Sequence, residues 1–166
     1  MAENEIQNAE NEQQEAQQPV FQMQRCYLKD ASLEMPNAPQ ILMQPQQEQP
    51  QVDIQFEVSQ TVVQENLFVV TVRGTITVKA GEHTIILVEG KQSGLFVIQN
   101  IPQEAVQHVT NVLCPTMVYP YLRGNLADLM TRANVPPVHL PEVNFEMLYQ
   151  QRLAQQAAQA DAAKAS

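Results

Sequence analysis

The side chains best suited to chemistry in this 166-residue chain are its two cysteines, Cys26 and Cys114, and its three histidines, His83, His108 and His139. A thiol nucleophile needs a base beside it, and a zinc site needs Cys or His in close-spaced sets such as C-x-x-C. The cysteines stand 88 positions apart, and neither C-x-x-C nor C-x-x-H spacing occurs. Two distant thiols read as small packing residues. Cys114 precedes Pro115 at a candidate helix start, where a thiol pKa can fall, but burial is the preferred reading there too. The histidines fall on a turn, a helix and a Pro-rich connector, none at metal or triad spacing from another candidate. Glu142 and Glu146 lie four residues apart, and a helix N-terminus explains acids there. Five scattered glycines make no phosphate loop. No enzyme, cofactor or metal is expected.

The elements that carry these residues change character along the chain. Val52, Ile54, Phe56 and Val58 alternate with Asp53, Gln55, Glu57 and Ser59, and Val70 to Lys79 alternates likewise. Period two with one apolar face predicts strands. Ala80-Gly81-Glu82 predicts a tight turn. The following strand, His83 to Ile98, breaks the alternation at Ile85-Ile86-Leu87-Val88, which suggests apolar side chains on both faces. An earlier strand covers about Phe21 to Leu28. Met35 to Pro50, with four prolines and five glutamines, predicts a long irregular connection. After Pro102 the period becomes helical: Ala105, Val109, Val112 and Leu113, then Tyr119, Leu122, Leu126, Leu129 and Met130 from Pro115 onward. A third helix carries Phe145, Leu148, Tyr149 and Leu153, with Asn144 as candidate N-cap. Strands first and helices second predict an α+β fold with a four-stranded antiparallel sheet. The helices suffice to cover one sheet face, so an apolar second face is expected to meet another subunit or a client.

Composition bounds the partners. The net charge is −9, with nine Lys and Arg in all. That is too few and too scattered to track nucleic-acid phosphates or an anionic membrane surface. Residues 1–20 hold five Glu, five Gln and three Asn with no Lys or Arg, and read as a disordered tail. Residues 150–166, rich in Ala and Gln, read as a second tail, helical at its start. The domain between them, 21–149, holds 12 acids and 7 bases. With no signal peptide and no apolar span, the chain is expected in the cytoplasm with no membrane insertion.

Four segments, in order, resemble the SecB family of bacterial protein-export chaperones. They are FQMQRCYLKDASLEMPNAP from Phe21 to Pro39, the region Val72 to Phe96 with GEHTIILVEGKQSGLF, CPTMVYPYLRGNLADLMTR from Cys114 to Arg132, and PPVHLPEVNFEMLY from Pro136 to Tyr149. The chain departs from the family pattern at Arg123-Gly124 and Arg132-Ala133, and the glutamine-rich stretch Gln44 to Gln51 lacks the aromatic residue often found there. The resemblance implies an ATP-independent holdase. Such a protein is a homotetramer, a dimer of dimers, that binds unfolded preproteins in the cytoplasm and passes them to the translocase ATPase SecA. One alternative shares the fold, a chaperone of a toxin–antitoxin pair; another, of a different class, is a structural oligomerisation module without clients.

Roles carry over by position. The resemblance assigns Asp30, Glu34, Leu87 and Glu89 to the SecA-binding face, the carboxylates drawing in a basic segment of SecA and Leu87 anchoring it. Alternation agrees in placing Leu87 and Glu89 on one strand face. It assigns Val88, Gly90 and Gln92 to oligomer packing, and Tyr27, Leu42, Phe145 and Tyr149 to a client-binding groove. Met35, Met43 and Met147 lie near those positions in sequence and add deformable apolar surface.

Overall fold

A computed structural model describes residues 18–43 and 48–165. Four long strands make one antiparallel sheet: β1 (Val20–Glu34), β2 (Gln51–Gln64), β3 (Leu67–Ala80) and β4 (His83–Gln99), in the order β1-β4-β3-β2. A short helical turn, α1 (Gln40–Met43), interrupts the connection between β1 and β2. Asn37 Nδ2 ties that connection to the Thr84 carbonyl at the β3–β4 end. The two hairpins turn through Asn66 and Gly81, both with positive φ, which Gly and Asn adopt at little cost.

After the sheet come α2 (Gln103–His108), a π-helical turn (Val109–Leu113), α3 (Cys114–Arg132) and, beyond an extended connector, α4 (Phe145–Ala165). The sequence pattern placed a break at Pro115. The backbone instead runs on without one. A proline ring clashes with the carbonyl four residues back, and the π turn immediately before it widens the backbone where that clash would fall. Asn144 caps α4 as expected, its Oδ1 accepting from the Met147 amide at 3.0 Å. The tail expected over 1–20 lies mostly outside the described residues. The one expected to fray beyond 150 is helical through Ala165.

The core lies between the sheet and α3. Val70, Val72, Ile76, Ile86, Val88 and Phe96 meet Val118, Leu122, Leu126 and Met130, all fully buried. At about 25 cal/mol per Å² of apolar surface, this interface is the main source of stability. Glycine sets its spacing. A Cβ on Gly90 would lie 2.8 Å from a Leu126 methyl, and one on Gly94 2.4 Å from the Phe96 ring and 2.8 Å from a Val118 methyl.

The expectation of an apolar second face needs correcting. The register between β3 and β4 shifts after Val78, whose partner is Ile86, so that Lys79 pairs with Thr84 and Ile85 is left over. Such a bulge lets neighbouring side chains escape strict alternation, and Ile85 and Ile86 both join the core. The face away from α3 is mixed. Thr71, Arg73, Thr75, Glu89 and Lys91 occupy its middle, and half-buried Val69, Leu95 and Val97 lie toward the end where β4 finishes.

Candidate interaction surfaces

The open sheet face gathers the four positions assigned to a basic partner. Asp30 pairs with Lys91, Ser32 with Glu89 and Glu34 with Leu87 across the β1–β4 ladder. Directly paired residues share a face, and so do residues two apart on a strand. Asp30, Glu34, Leu87 and Glu89 therefore form one compact block. Their electrostatic states differ. Glu89 is held by Arg73 at 2.7 Å and accepts from Thr75 Oγ1 at 3.3 Å. The Arg73 hydrogen bond draws its carboxyl below the usual range. Arg73 also reaches Glu57 at 3.9 Å. Asp30 and Glu34 are exposed, with no ion pair among the described residues.

Val88, Gly90 and Gln92 point the other way. Val88 is fully buried, Gly90 faces Leu122 and Leu126, and Gln92 Oε1 accepts from Asn125 Nδ2 of α3 at 2.8 Å. Gln92 Nε2 in turn donates to Cys26 Sγ at 3.3 Å. Within one chain these three residues support α3 and present no side chain at its surface.

The groove positions separate into three places. Phe145 and Tyr149 come together on the first turns of α4. Around them the structure adds two aromatics that sequence reasoning did not assign, Phe56 of β2 and Tyr119 of α3. Ring centroids lie 5.6 Å apart for Tyr119–Phe145, 6.3 Å for Phe56–Phe145 and 6.4 Å for Phe56–Tyr119. The signal for Phe56 was in its alternation, which put it on the buried face of a strand. Its place on an edge strand, where that face opens to a cleft, was not legible. The Tyr119 hydroxyl donates to the Pro141 carbonyl and fixes the connector leading to α4. Phe56, Val58, Phe145, Leu148 and Tyr149 then line a cleft of about 430 Å³ between β2 and α4. Leu42 is 60% exposed in α1, in the connection tied to the β3–β4 end. Tyr27 stands on the open sheet face opposite Ser93, in company with Thr71 and Lys91.

Few contacts hold α4. Phe145 is its single buried residue. His108 Nε2 lies 2.5 Å from Glu146 Oε2, and the His108 ring meets that of Tyr149 edge-on at 5.7 Å. Arg152 donates to Asn111 Oδ1 at 2.9 Å. Met147 and Leu153 remain exposed. The cleft lining is mixed, because Glu57, Asn111, Gln151, Arg152 and Gln155 share it, and a cleft walled by a lightly held helix suits a ligand of variable shape.

The thiols take no part in such a surface. Cys114 is fully buried, and burial pushes its thiol up to about 12, the reverse of activation by a helix start. Cys26 is free as well. Among the described residues no group of three His, Cys, Asp or Glu could hold a metal ion, and no helix is long and apolar enough to cross a membrane.

Comparison with known proteins agrees with this arrangement. The family described as preprotein translocase subunit SecB matches residues 14–156. Proteins named protein-export protein SecB are similar over most of the chain. That of Acidovorax sp. strain JS42 is 53% identical over 87% of this chain and 93% of its own. That of Ralstonia nicotianae is 51% identical over 88% and 83%, and that of Paraburkholderia xenovorans 47% over 90% and 95%. A SecB-like chaperone of Mycobacterium tuberculosis, solved with a peptide of an antitoxin, superposes with a TM-score of 0.61. It is 19% identical and covers 74% of this chain and 90% of that one, a likeness of fold. With its sheet, helices and sequence all of one kind, the chain belongs to the SecB family of protein-export chaperones.

Proposed function

We propose that this chain works as a nucleotide-independent holdase in the cytoplasm. It keeps precursor proteins unfolded and hands them to SecA. The aromatic cleft between β2 and α4 carries this reading. Unfolded chains share exposed apolar side chains and backbone amides, and the cleft offers apolar surface from Phe56, Phe145, Leu148 and Tyr149 beside polar groups from Asn111, Gln151 and Gln155. A client lying over several such clefts in an assembly gains avidity from weak contacts. Binding the unfolded state holds back folding by mass action. The export reading is favoured over a toxin–antitoxin role because the relatives at about half identity bear the export name.

The open block of Asp30, Glu34, Leu87 and Glu89 is the surface offered to SecA. Its carboxylates speed encounter with a basic segment, and Leu87 lengthens residence. The tetramer is ascribed to the outward side of the π turn and α3, where Leu113, Met117 and Tyr121 are exposed. Val88, Gly90 and Gln92 act on assembly through α3, by fixing how close it sits to the sheet.

A photo-crosslinking probe at Tyr149 and another at Tyr27 test the division of surfaces. With a denatured precursor added, the Tyr149 probe is expected to label the client, and wild-type protein to slow refolding of that precursor. Labelling confined to Tyr27 on the sheet face, or no delay of refolding, overturns the proposal.

A further inference from the structure

A cleft of about 700 Å³ opens between α3 and the connector that leads to α4. Tyr119, Val143 and Phe145 give it apolar walls, and Arg123 and Glu142 bring opposite charges to it. Phe145 also lines the aromatic cleft, so the two hollows adjoin.

The polar groups of this cleft are unequally engaged. Thr116 Oγ1 donates to the Val112 carbonyl at 2.6 Å, and the Tyr119 hydroxyl donates to that of Pro141. Arg123 differs: its Nε is buried and has no hydrogen-bond partner. Among the described residues neither Arg123 nor Glu142 has an ion pair, so the two stand too far apart to join each other. A buried N–H without an acceptor is costly and rare in folded proteins. Arg123 thus holds a donor ready for an acceptor that arrives from outside the chain. Gly124 keeps the approach open, since a Cβ there would meet nothing within 4 Å. Glu142 and His139 are exposed.

The paired charges select the ligand. A carboxylate drawn to Arg123 is repelled by Glu142, and a cation drawn to Glu142 is repelled by Arg123. A peptide group carries no net charge and offers a carbonyl to the one and an N–H to the other. Hydrogen bonds to charged partners are stronger than neutral ones. We propose that this cleft binds the main chain of an extended, unfolded segment: Arg123 and Glu142 clamp a peptide group, while Tyr119, Val143 and Phe145 hold a neighbouring apolar side chain. The clamp, which rests on the client reading above, adds recognition that no client sequence can lack. On one side of Phe145 the aromatic cleft takes side chains, and on the other Arg123 and Glu142 take backbone.

Short, capped, uncharged peptides test the clamp on the full-length protein. One has a phenylalanine at the centre of an all-amide chain, and the others replace one peptide group at a time by an ester, which removes the N–H and weakens the carbonyl as an acceptor. Competition against a fluorescent copy measures affinity. An ester beside the phenylalanine should weaken binding about fivefold, as the loss of one hydrogen bond does. Affinity for the all-amide peptide should change less than about twofold between about 0.05 M and about 0.5 M salt, because the ligand is neutral. Arg123→Met and Glu142→Ala should each bind that peptide about fivefold more weakly and no longer tell ester from amide. Glu142 is exposed and unpaired, so its variant keeps the fold even where the other does not. Equal binding of ester and amide, undiminished discrimination in Glu142→Ala, or an affinity that needs a carboxylate on the peptide and falls steeply with salt overturns the proposal. A photo-crosslinking probe at His139 separates the two readings. Labelling of a denatured precursor from Tyr149 and not from His139 overturns the clamp and leaves the holdase standing. Labelling from neither, with no delay of refolding, overturns both.

Discussion

Gly94 shows how much one missing side chain decides. It lies in the middle of β4, and a Cβ there would strike the Phe96 ring and a Val118 methyl. Neither neighbour has room to move, because both are fully buried in the sheet–helix core. Gly94→Ala should therefore destabilise the fold by about 1–3 kcal/mol, the usual cost of overpacking. Chemical denaturation checks it, and an unchanged midpoint refutes it. Gly90 is more forgiving, since the nearest atom there is the flexible end of Leu126. Sequence reading placed Gly90 at a close approach of two backbones between subunits. Within the chain the space beside Gly90 is taken by the Leu122 and Leu126 side chains of α3. A single sequence shows that a residue is small. It does not show which neighbour needs the space, because that depends on where a helix 30 residues later comes to rest.

Element by element, the sheet was more legible than the helices. Alternation fixed which side chains of β2 and β3 face inward, since period two admits one answer per strand. The bulge that carries Ile85 into the core was read as apolar surface on both faces, because an extra residue looks the same in sequence as a two-sided strand. The π turn before Pro115 was read as an interruption for a similar reason: proline marks strain without saying how the backbone relieves it. Helix α4 makes its own prediction. Apart from Phe145, its first turns are held to the body by Glu146 and Tyr149, which both meet His108, and by Arg152, which donates to Asn111. The Gln150 hydrogen bond, then the one with His108, draws the Glu146 carboxyl below its ordinary value of 4.5. Gln150 belongs to α4 itself, so only the His108 share favours the docked helix; it is present above that ordinary value and lost as pH falls through the lowered one. A spin label at Leu153 should gain mobility as pH is taken from 6 to about 3.5. Glu146→Gln should give that mobility already at pH 6. A label equally restrained in both proteins at every pH would show that Phe145 and Tyr149 hold α4 unaided.

At the scale of the whole molecule, the charge is divided between surfaces. The aromatic cleft and the block of Asp30, Glu34, Leu87 and Glu89 lie on opposite sides of one sheet, so under the proposed function a client and a basic partner need not compete. Sequence reading placed Asp30, Glu34, Leu87 and Glu89 on a common face. It grouped Tyr27 with Phe145 and Tyr149, which only the folded sheet separates. Family likeness transfers positions, whereas the face on which a side chain emerges depends on local register, and β1 shifts register twice near Tyr27. The acids also differ in what reversing them would reveal. Glu89→Lys would place a new cation against Arg73, so lost binding would mix repulsion within the sheet with lost attraction to the partner. Asp30 and Glu34 are exposed and carry no such ion pair, but Asp30 pairs with Lys91 across the ladder, so neutral asparagine and glutamine in their places are the cleaner probes. Replacing both, Asp30→Asn with Glu34→Gln, should weaken binding of SecA by about tenfold, mainly through slower association, and flatten its dependence on salt. Leu87→Ala should instead speed dissociation and leave the salt dependence as it was. Calorimetry and stopped-flow mixing at two ionic strengths separate these effects, and client holding by the same variants should stay unchanged. If both substitutions altered association alike, or altered client holding, the division of labour between the two sides of the sheet would fail.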